Sequence, residues 1–453
     1  MYLNKVRVAY SLMPLSEKRR EHGPKFELGR LLFFDPILSG NREIACGTCH
    51  FPLAASADSL PIAVGVGARG IGAFRLNAHG GFAQRRNALA FWGLGEAQAI
   101  RLFWDGRVER LPDGRIFTPI GVFAVSDVGS LLGAAALLPV IEADEMTGFE
   151  GDRSPSWIVA PHRGLLNELA IDGESKNPNR AWHVHQALMR RVLGNGSNVR
   201  TAWQEEYRRL YAAAYPGRSP EAAMYQDLAA AIGEFIGTAF ELKPSPWDRY
   251  LAGDTRAISD AAKDGALIFY GKGKCAVCHS GALFSDFKFH ALAVPQIGRG
   301  LEAGGVDPGR GGVTRDPDDR YRFRTPILRN VALTSPYGHS GYFNRLEDIV
   351  AHHSNPIPAL YRAQQDEPGG SGRQARLVAY IAPELRDMEP LGPGETAKVV
   401  EFLKSLTSAD IEALAKLVPG RIPSGLNHVV SDIRKGQMDR NAGASTVKTG
   451  AEY

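Results

Sequence analysis

Apolar residues recur at helical spacing along several stretches of this chain, and strand-like alternation is scarce. Lys25 to Phe33 reads as a helix that Phe34-Asp35-Pro36 stops. Ser259 is placed to cap a second helix, Asp260 to Tyr270, ended by Gly271. Ser219-Pro220-Glu221 is a start signal, after which Leu228, Ile232, Phe235 and Ala239 share one face. On that helix Gly233 and Gly237 stand one turn apart and permit a close backbone approach. Trp182 to Leu193, Arg200 to Tyr215 and Thr396 to Leu406 complete the helical pattern, the last burying Val399, Val400, Leu403 and Leu406. The predicted fold class is mainly α, with long loops.

Composition adds the domain plan. The 453 residues include 50 Gly and 28 Pro, which suits long irregular connections between two or three domains. Lys243-Pro-Ser-Pro-Trp-Asp248 reads as a junction. The expected units are 20–245, 246–420 and an extended or disordered tail, 421–453. Gly298 to Asp319, rich in Gly, Asp and Arg, reads as a surface loop. A formal net charge of +4 carries no nucleic-acid or membrane signature. The longest apolar run, Leu131 to Ile141, is too short to span a bilayer and contains Pro139.

The chemistry enters with the cysteines. There are four, arranged as Cys46-Gly-Thr-Cys49-His50 and Cys275-Ala-Val-Cys278-His279. C-x-x-C-H is the attachment motif for c-type haem: two thiols add to the two vinyl groups and the adjacent imidazole ligates the iron. A zinc site would gather four ligands in one place, whereas these pairs lie in opposite halves of the chain. A thioredoxin-like dithiol would sit in a βαβ context, and none surrounds either pair. Each motif follows a predicted helix and a short loop, so the reading is two cytochrome c-like haem domains. Covalent haem attachment takes place outside the cytoplasm, so the expected location is periplasmic. A clean signal peptide is absent from this numbering.

Three segments resemble the di-haem bacterial cytochrome c peroxidases, a family that includes MauG. They are Leu28-Gly-Arg-Leu-Leu-Phe-Phe-Asp-Pro36, Phe103-Trp-Asp-Gly-Arg107 and Phe323-Arg-Thr-Pro-Ile-Leu-Arg-Asn-Val-Ala-Leu-Thr-Ser-Pro-Tyr-Gly-His339-Ser-Gly341. The resemblance runs from about residue 25 to about residue 415. It implies that the N-terminal haem, on His50, reacts with hydrogen peroxide. The family's distal Glu-Met pair matches Glu145-Met146, with Pro139 as pocket wall and Glu142 as the competing carboxylate. Many members carry a distal His after the first motif. Ile62 to Val66, the matching stretch, has none, and the nearest is His79.

The same resemblance makes the C-terminal haem the electron-transfer centre. Its sixth ligand lies fourteen residues after His339, at His353, with His352 beside it and Met388 downstream. Trp104 matches the relay tryptophan between the haems. Asn87, by its side chain, and Thr334 and Pro336, by their carbonyls, match the ligands of an interhaem calcium ion. His183, His185 and His290 receive no role. The expected function is a di-haem peroxidase fed by a small redox donor, a cytochrome c or copper protein, with a homodimer as one assembly. The alternatives are a MauG-like enzyme that oxidises side chains of a partner protein, and a non-catalytic di-haem electron carrier.

Overall fold

In a computed structural model, the described residues are all except 1, 18–19, 69, 76–81, 122–127, 149–166, 171–178, 299–304, 367–371, 387 and 427–453. They form two helical halves, each with its own apolar core. In the first half the helix Pro24–Phe34 packs on Tyr225–Ala239, through Phe26, Phe33, Phe34 and Phe235. In the second, Asp260–Tyr270 packs on Pro393–Lys404 through Phe269, Tyr270 and Phe402. Ser259 caps the former by accepting from the Ala262 amide, at the position its sequence indicated. The cores change over between Leu242 and Trp247. There Asp248, buried on the short helix Pro246–Leu251, accepts from Ser245 and pairs with Arg329.

Both helix pairs meet at a glycine. A Cβ on Gly29 would fall 1.8 Å from the carbonyl oxygen of Ala231, and one on Gly265 would fall 1.9 Å from that of Lys398. Gly233 likewise lies against the helix Leu131–Ala136, where its Cβ would sit 2.4 Å from the Gly133 nitrogen. Backbones in contact cannot yield as a flexible side chain can. Gly29→Ala should therefore destabilise the protein by about 1–3 kcal/mol, overriding the roughly 1 kcal/mol by which alanine favours a helix. A lowered denaturant midpoint of the haem-loaded protein checks this.

The ends of the chain cross over. The helix Tyr2–Ala9 leads to Leu12, which is buried in the second core, and Tyr10 donates to the Tyr270 carbonyl at 2.9 Å. The segment after Thr407 returns to the first core with Leu414 and Ile422. Ser424 donates to Asp35 at 2.6 Å, and Arg421 pairs with Glu206 at 2.6 Å. Residues 421–426, expected to begin a loose tail, are thus packed. Gly298 to Asp319 also departs from a plain surface loop: Val306 and Asp307 are buried, and the helix Gly311–Thr314 follows.

Strands are few and short. Arg101–Leu102, Val108–Arg110 and Ile116–Phe117 make an antiparallel sheet, with Leu102 opposite Val108 and Glu109 opposite Phe117. Phe289–His290 pairs with Phe323–Arg324. The first hairpin matters most, because its turn is Phe103-Trp-Asp-Gly-Arg107. Phe103 and Gly106 take positive φ, 64° and 65°. At Gly106 a side chain would meet the Phe289 ring at 2.3 Å, so this turn is pressed against the second half.

Candidate functional site

Each C-x-x-C-H motif lines a cavity in its own half. The first cavity, about 970 Å³, is walled by Cys46, Cys49 and His50 together with Trp104, Arg107, Pro139, Glu142, Glu145 and Met146. The second, about 210 Å³, is walled by Cys275, Cys278 and His279 together with Trp104, His339, His353 and Met388. Trp104 belongs to both walls. Its indole N–H donates to the Asn87 carbonyl at 3.0 Å, and its own carbonyl accepts from the Arg324 amide at 2.7 Å.

The imidazoles are set for metal ligation. His50 Nδ1 donates to the Ser56 carbonyl at 3.0 Å, and His279 Nδ1 to that of Phe284 at 2.9 Å. A carbonyl only accepts, so Nδ1 carries the proton and Nε2 is left with its lone pair. Burial pushes both rings down to about 4, which keeps them neutral at ordinary pH. His353, on the helix Leu346–Ser354, follows the same pattern: Nδ1 donates to Ile349 at 2.7 Å and burial lowers its pKa. The His279 and His353 ring centres are 6.4 Å apart. Two imidazoles on opposite sides of one metal ion, each bound at about 2 Å, hold their centres about 6 Å apart. The neighbour His352 turns the other way, its Nε2 donating to the Leu292 carbonyl at 2.9 Å. The donor set and the spacing fit a haem held between His279 and His353.

A second set of groups fits the carboxylates that haem carries. Arg324 lies on the second cavity wall, is 1 % exposed, and bonds the carbonyls of Phe103 and Thr325 rather than an acid. Burial pulls its pKa down to about 10. His339, on the same wall and stacked on Phe323 at 3.6 Å, has a buried Nε2 with no hydrogen-bond partner.

No described imidazole faces His50 across the first cavity as His353 faces His279; His50 stacks instead on Phe91 at 4.0 Å. His79 lies outside the described residues. Glu145 sits half-buried on the wall, in a single π-type turn, Ala143–Thr147. Burial, with the charge of Glu142 adding to it, raises its pKa to about 7, against the opposing charge of Arg107. Glu142 lines the same cavity but is exposed.

Sequence reasoning named Phe103-Trp-Asp-Gly-Arg107 for its tryptophan and passed over the charges around it. Asp105 pairs with Arg107 and Arg86 at 2.7 Å each, and Arg86 also pairs with Asp307 of the second half at 2.7 Å. Arg310 reaches across to the Gly106 carbonyl at 2.8 Å and to Glu109 at 2.7 Å. These pairs clamp the turn that carries Trp104 between the cavities. Asn87, Thr334 and Pro336 gather on the wall of the second cavity; the Asn87 amide donates to the Leu60 carbonyl at 2.8 Å. His185 is bonded to Leu137 and stacked on Tyr225, and His290 bonds Asp286 at 3.0 Å. Cys278, Asp286 and His290 lie close enough for a metal ion, but Cys278 belongs to the attachment motif.

Two cytochrome c-like halves, each presenting an attachment motif to its own cavity, define a di-haem c-type cytochrome. The chain belongs to the di-haem cytochrome c peroxidase family, whose model matches residues 23–256, and that family is one of oxidoreductases. It is 28% identical over 389 residues to the cytochrome c551 peroxidase of Pseudomonas aeruginosa, covering 83% of this chain and 85% of that one. It is also 28% identical over 331 residues to the methylamine utilization protein MauG of Methylorubrum extorquens, covering 73% and 68%. The fold is similar to that of the diheme peroxidase BthA from Burkholderia thailandensis, with a TM-score of 0.57, 20% identity and 92% of each chain covered. A MauG-like protein associated with microbial copper homeostasis gives a TM-score of 0.58 at 22% identity, covering 90% of this chain and 97% of that one. Among the described residues no helix is long and apolar enough to cross a membrane.

Proposed function

We propose that this protein reduces hydrogen peroxide in the first cavity, with electrons arriving by way of the second haem and Trp104. The observation that carries the reading is the asymmetry between the cavities: His279 faces a second imidazole, whereas His50 shares an open cavity with Glu145. His50 would hold one haem iron, and His279 with His353 the other. When bound, haem supplies the redox-active iron at which peroxide reacts and through which electrons pass. Glu145 takes a proton from one peroxide oxygen and returns it to the departing one, so water leaves rather than hydroxide. Trp104, on both walls and clamped by its neighbours' ion pairs, offers the aromatic bridge between the two centres. The wall residues Asn87, Thr334 and Pro336 support a calcium site made of neutral oxygens; calcium analysis of the purified protein tests it. The electron donor is a small redox protein, and the setting is the periplasm.

A MauG-like oxidation of a partner protein is the second reading, favoured by an imidazole, His353, rather than a thioether facing His279, and by the lack of a His in Ile62 to Val66. Stopped-flow spectroscopy with peroxide separates the readings. Repeated turnover of peroxide at the expense of a small redox donor, with no long-lived oxidised state, supports the peroxidase. Reaction of the fully oxidised protein to a long-lived oxidised state supports the MauG-like activity. No reaction in either state leaves an electron carrier.

The acidity of Glu145 gives a further expectation. Below about 7 it is a neutral acid; above, a carboxylate able to accept a proton. The rate of the peroxide step should therefore rise with pH through about 7 and then level off, which rates measured from acid to mildly alkaline pH would trace.

A further inference from the structure

We propose that the phenolic O–H of Tyr225 is a second polar group of the peroxide site, donating a hydrogen bond to the bound oxidant. The proposal rests on the reading of the first cavity as that site.

Tyr225 opens the helix Tyr225–Ala239 and is 1 % exposed. Its hydroxyl is buried and has no hydrogen-bond partner. Buried tyrosines ordinarily find one, because an unpaired hydroxyl forfeits the hydration it had in the unfolded chain. Tyr225 lines the first cavity, so the missing partner is to be sought in what fills that cavity. The ring is held in place. It stacks on His185 with centres 4.6 Å apart and planes 17° apart, and His185 is itself tied to the Leu137 carbonyl at 3.1 Å. Leu137 leads directly into the Pro139–Ile141 turn and on to Glu145. His185 thus fixes the phenol ring against the segment that leads to Glu145, and rotation of the O–H is the freedom that remains. Cys46, Glu145 and Tyr225 line the same cavity.

The two groups divide the work. Glu145 can change its protonation state near neutral pH. Tyr225 cannot, since burial holds its phenol well above the ordinary range. It keeps its proton and acts as a fixed donor, aimed before the oxidant arrives.

Fluoride titration of the full-length, haem-loaded ferric protein tests this, because bound fluoride accepts hydrogen bonds from the same surroundings as peroxide. Tyr225→Phe keeps the ring and its stacking and removes the unpaired hydroxyl, so haem content should be unchanged. The expected result is about tenfold weaker fluoride binding and a similarly slower peroxide step, with the pH limb near 7 preserved. Unchanged fluoride affinity in Tyr225→Phe, where Glu145→Gln alters it, would overturn the role of Tyr225 and leave the peroxide site standing. Altered absorption or potential of the first haem with intact fluoride affinity would also overturn the role, assigning the hydroxyl to the haem edge. If neither variant changes fluoride binding or the peroxide step, the reading of this cavity falls with it.

Discussion

Glu145→Gln should slow the reaction with peroxide by about 10²–10⁴-fold, equivalent to roughly 3–5 kcal/mol of barrier. The amide keeps the size and the polarity of the carboxyl and loses only its ability to take a proton. The pH limb near 7 should vanish with it. Glu142→Gln makes the complementary case. Glu142 is exposed and acts on Glu145 through its charge, which helps to raise the Glu145 pKa. Neutralising it should move the limb to lower pH and leave the plateau rate within a small factor. Single-turnover stopped-flow on the two variants separates the groups: a large loss in Glu142→Gln with little in Glu145→Gln would reverse their roles.

His353→Met is expected to raise the potential of the second haem by on the order of 100 mV, a modest part of the roughly 0.8 V that axial ligands span. Thioether favours the reduced iron, whereas imidazole favours the oxidised one. The variant should therefore hold an electron on the second haem more firmly and favour peroxide turnover from the half-reduced state. The geometry suits the exchange, since His353 lies on the cavity wall with its ring centre 6.4 Å from that of His279. Spectroelectrochemical titration of both haems reads the change. A shift confined to the first haem would contradict the assignment of His353.

Local signals were the legible part of this sequence. The Ser259 cap and the Gly271 stop bracket the helix Asp260–Tyr270 because both act within one turn of the helix end. Gly233 announced a close approach, and the facing backbone at Gly133 explains it. The start signal Ser219-Pro220-Glu221 makes only one 3₁₀ turn, Pro220–Ala222, and the long helix begins at Tyr225. Ala223 and Met224 adopt extended backbone between the two, so the turn cannot run on into the helix.

What escaped the sequence was long-range pairing. Arg86 meets Asp307 across 221 positions, and nothing in either residue's surroundings announces the other. The crossing of the chain ends is of the same kind: Ile422 and Ser424 show no periodicity, yet they pack because Asp35 and the first core receive them. Tyr225 opens a helix without a motif of its own. Only the cavity beside it and its unpaired hydroxyl single it out.

The central claim is that the two haems are ligated unequally. Electron paramagnetic resonance of the fully oxidised protein tests it most directly. The account predicts two ferric signals of equal weight: a high-spin one from the haem on His50, and a low-spin one from the haem between His279 and His353. His353→Ala should convert the second signal alone. Two low-spin signals in the unmodified protein, with no high-spin component, would contradict it.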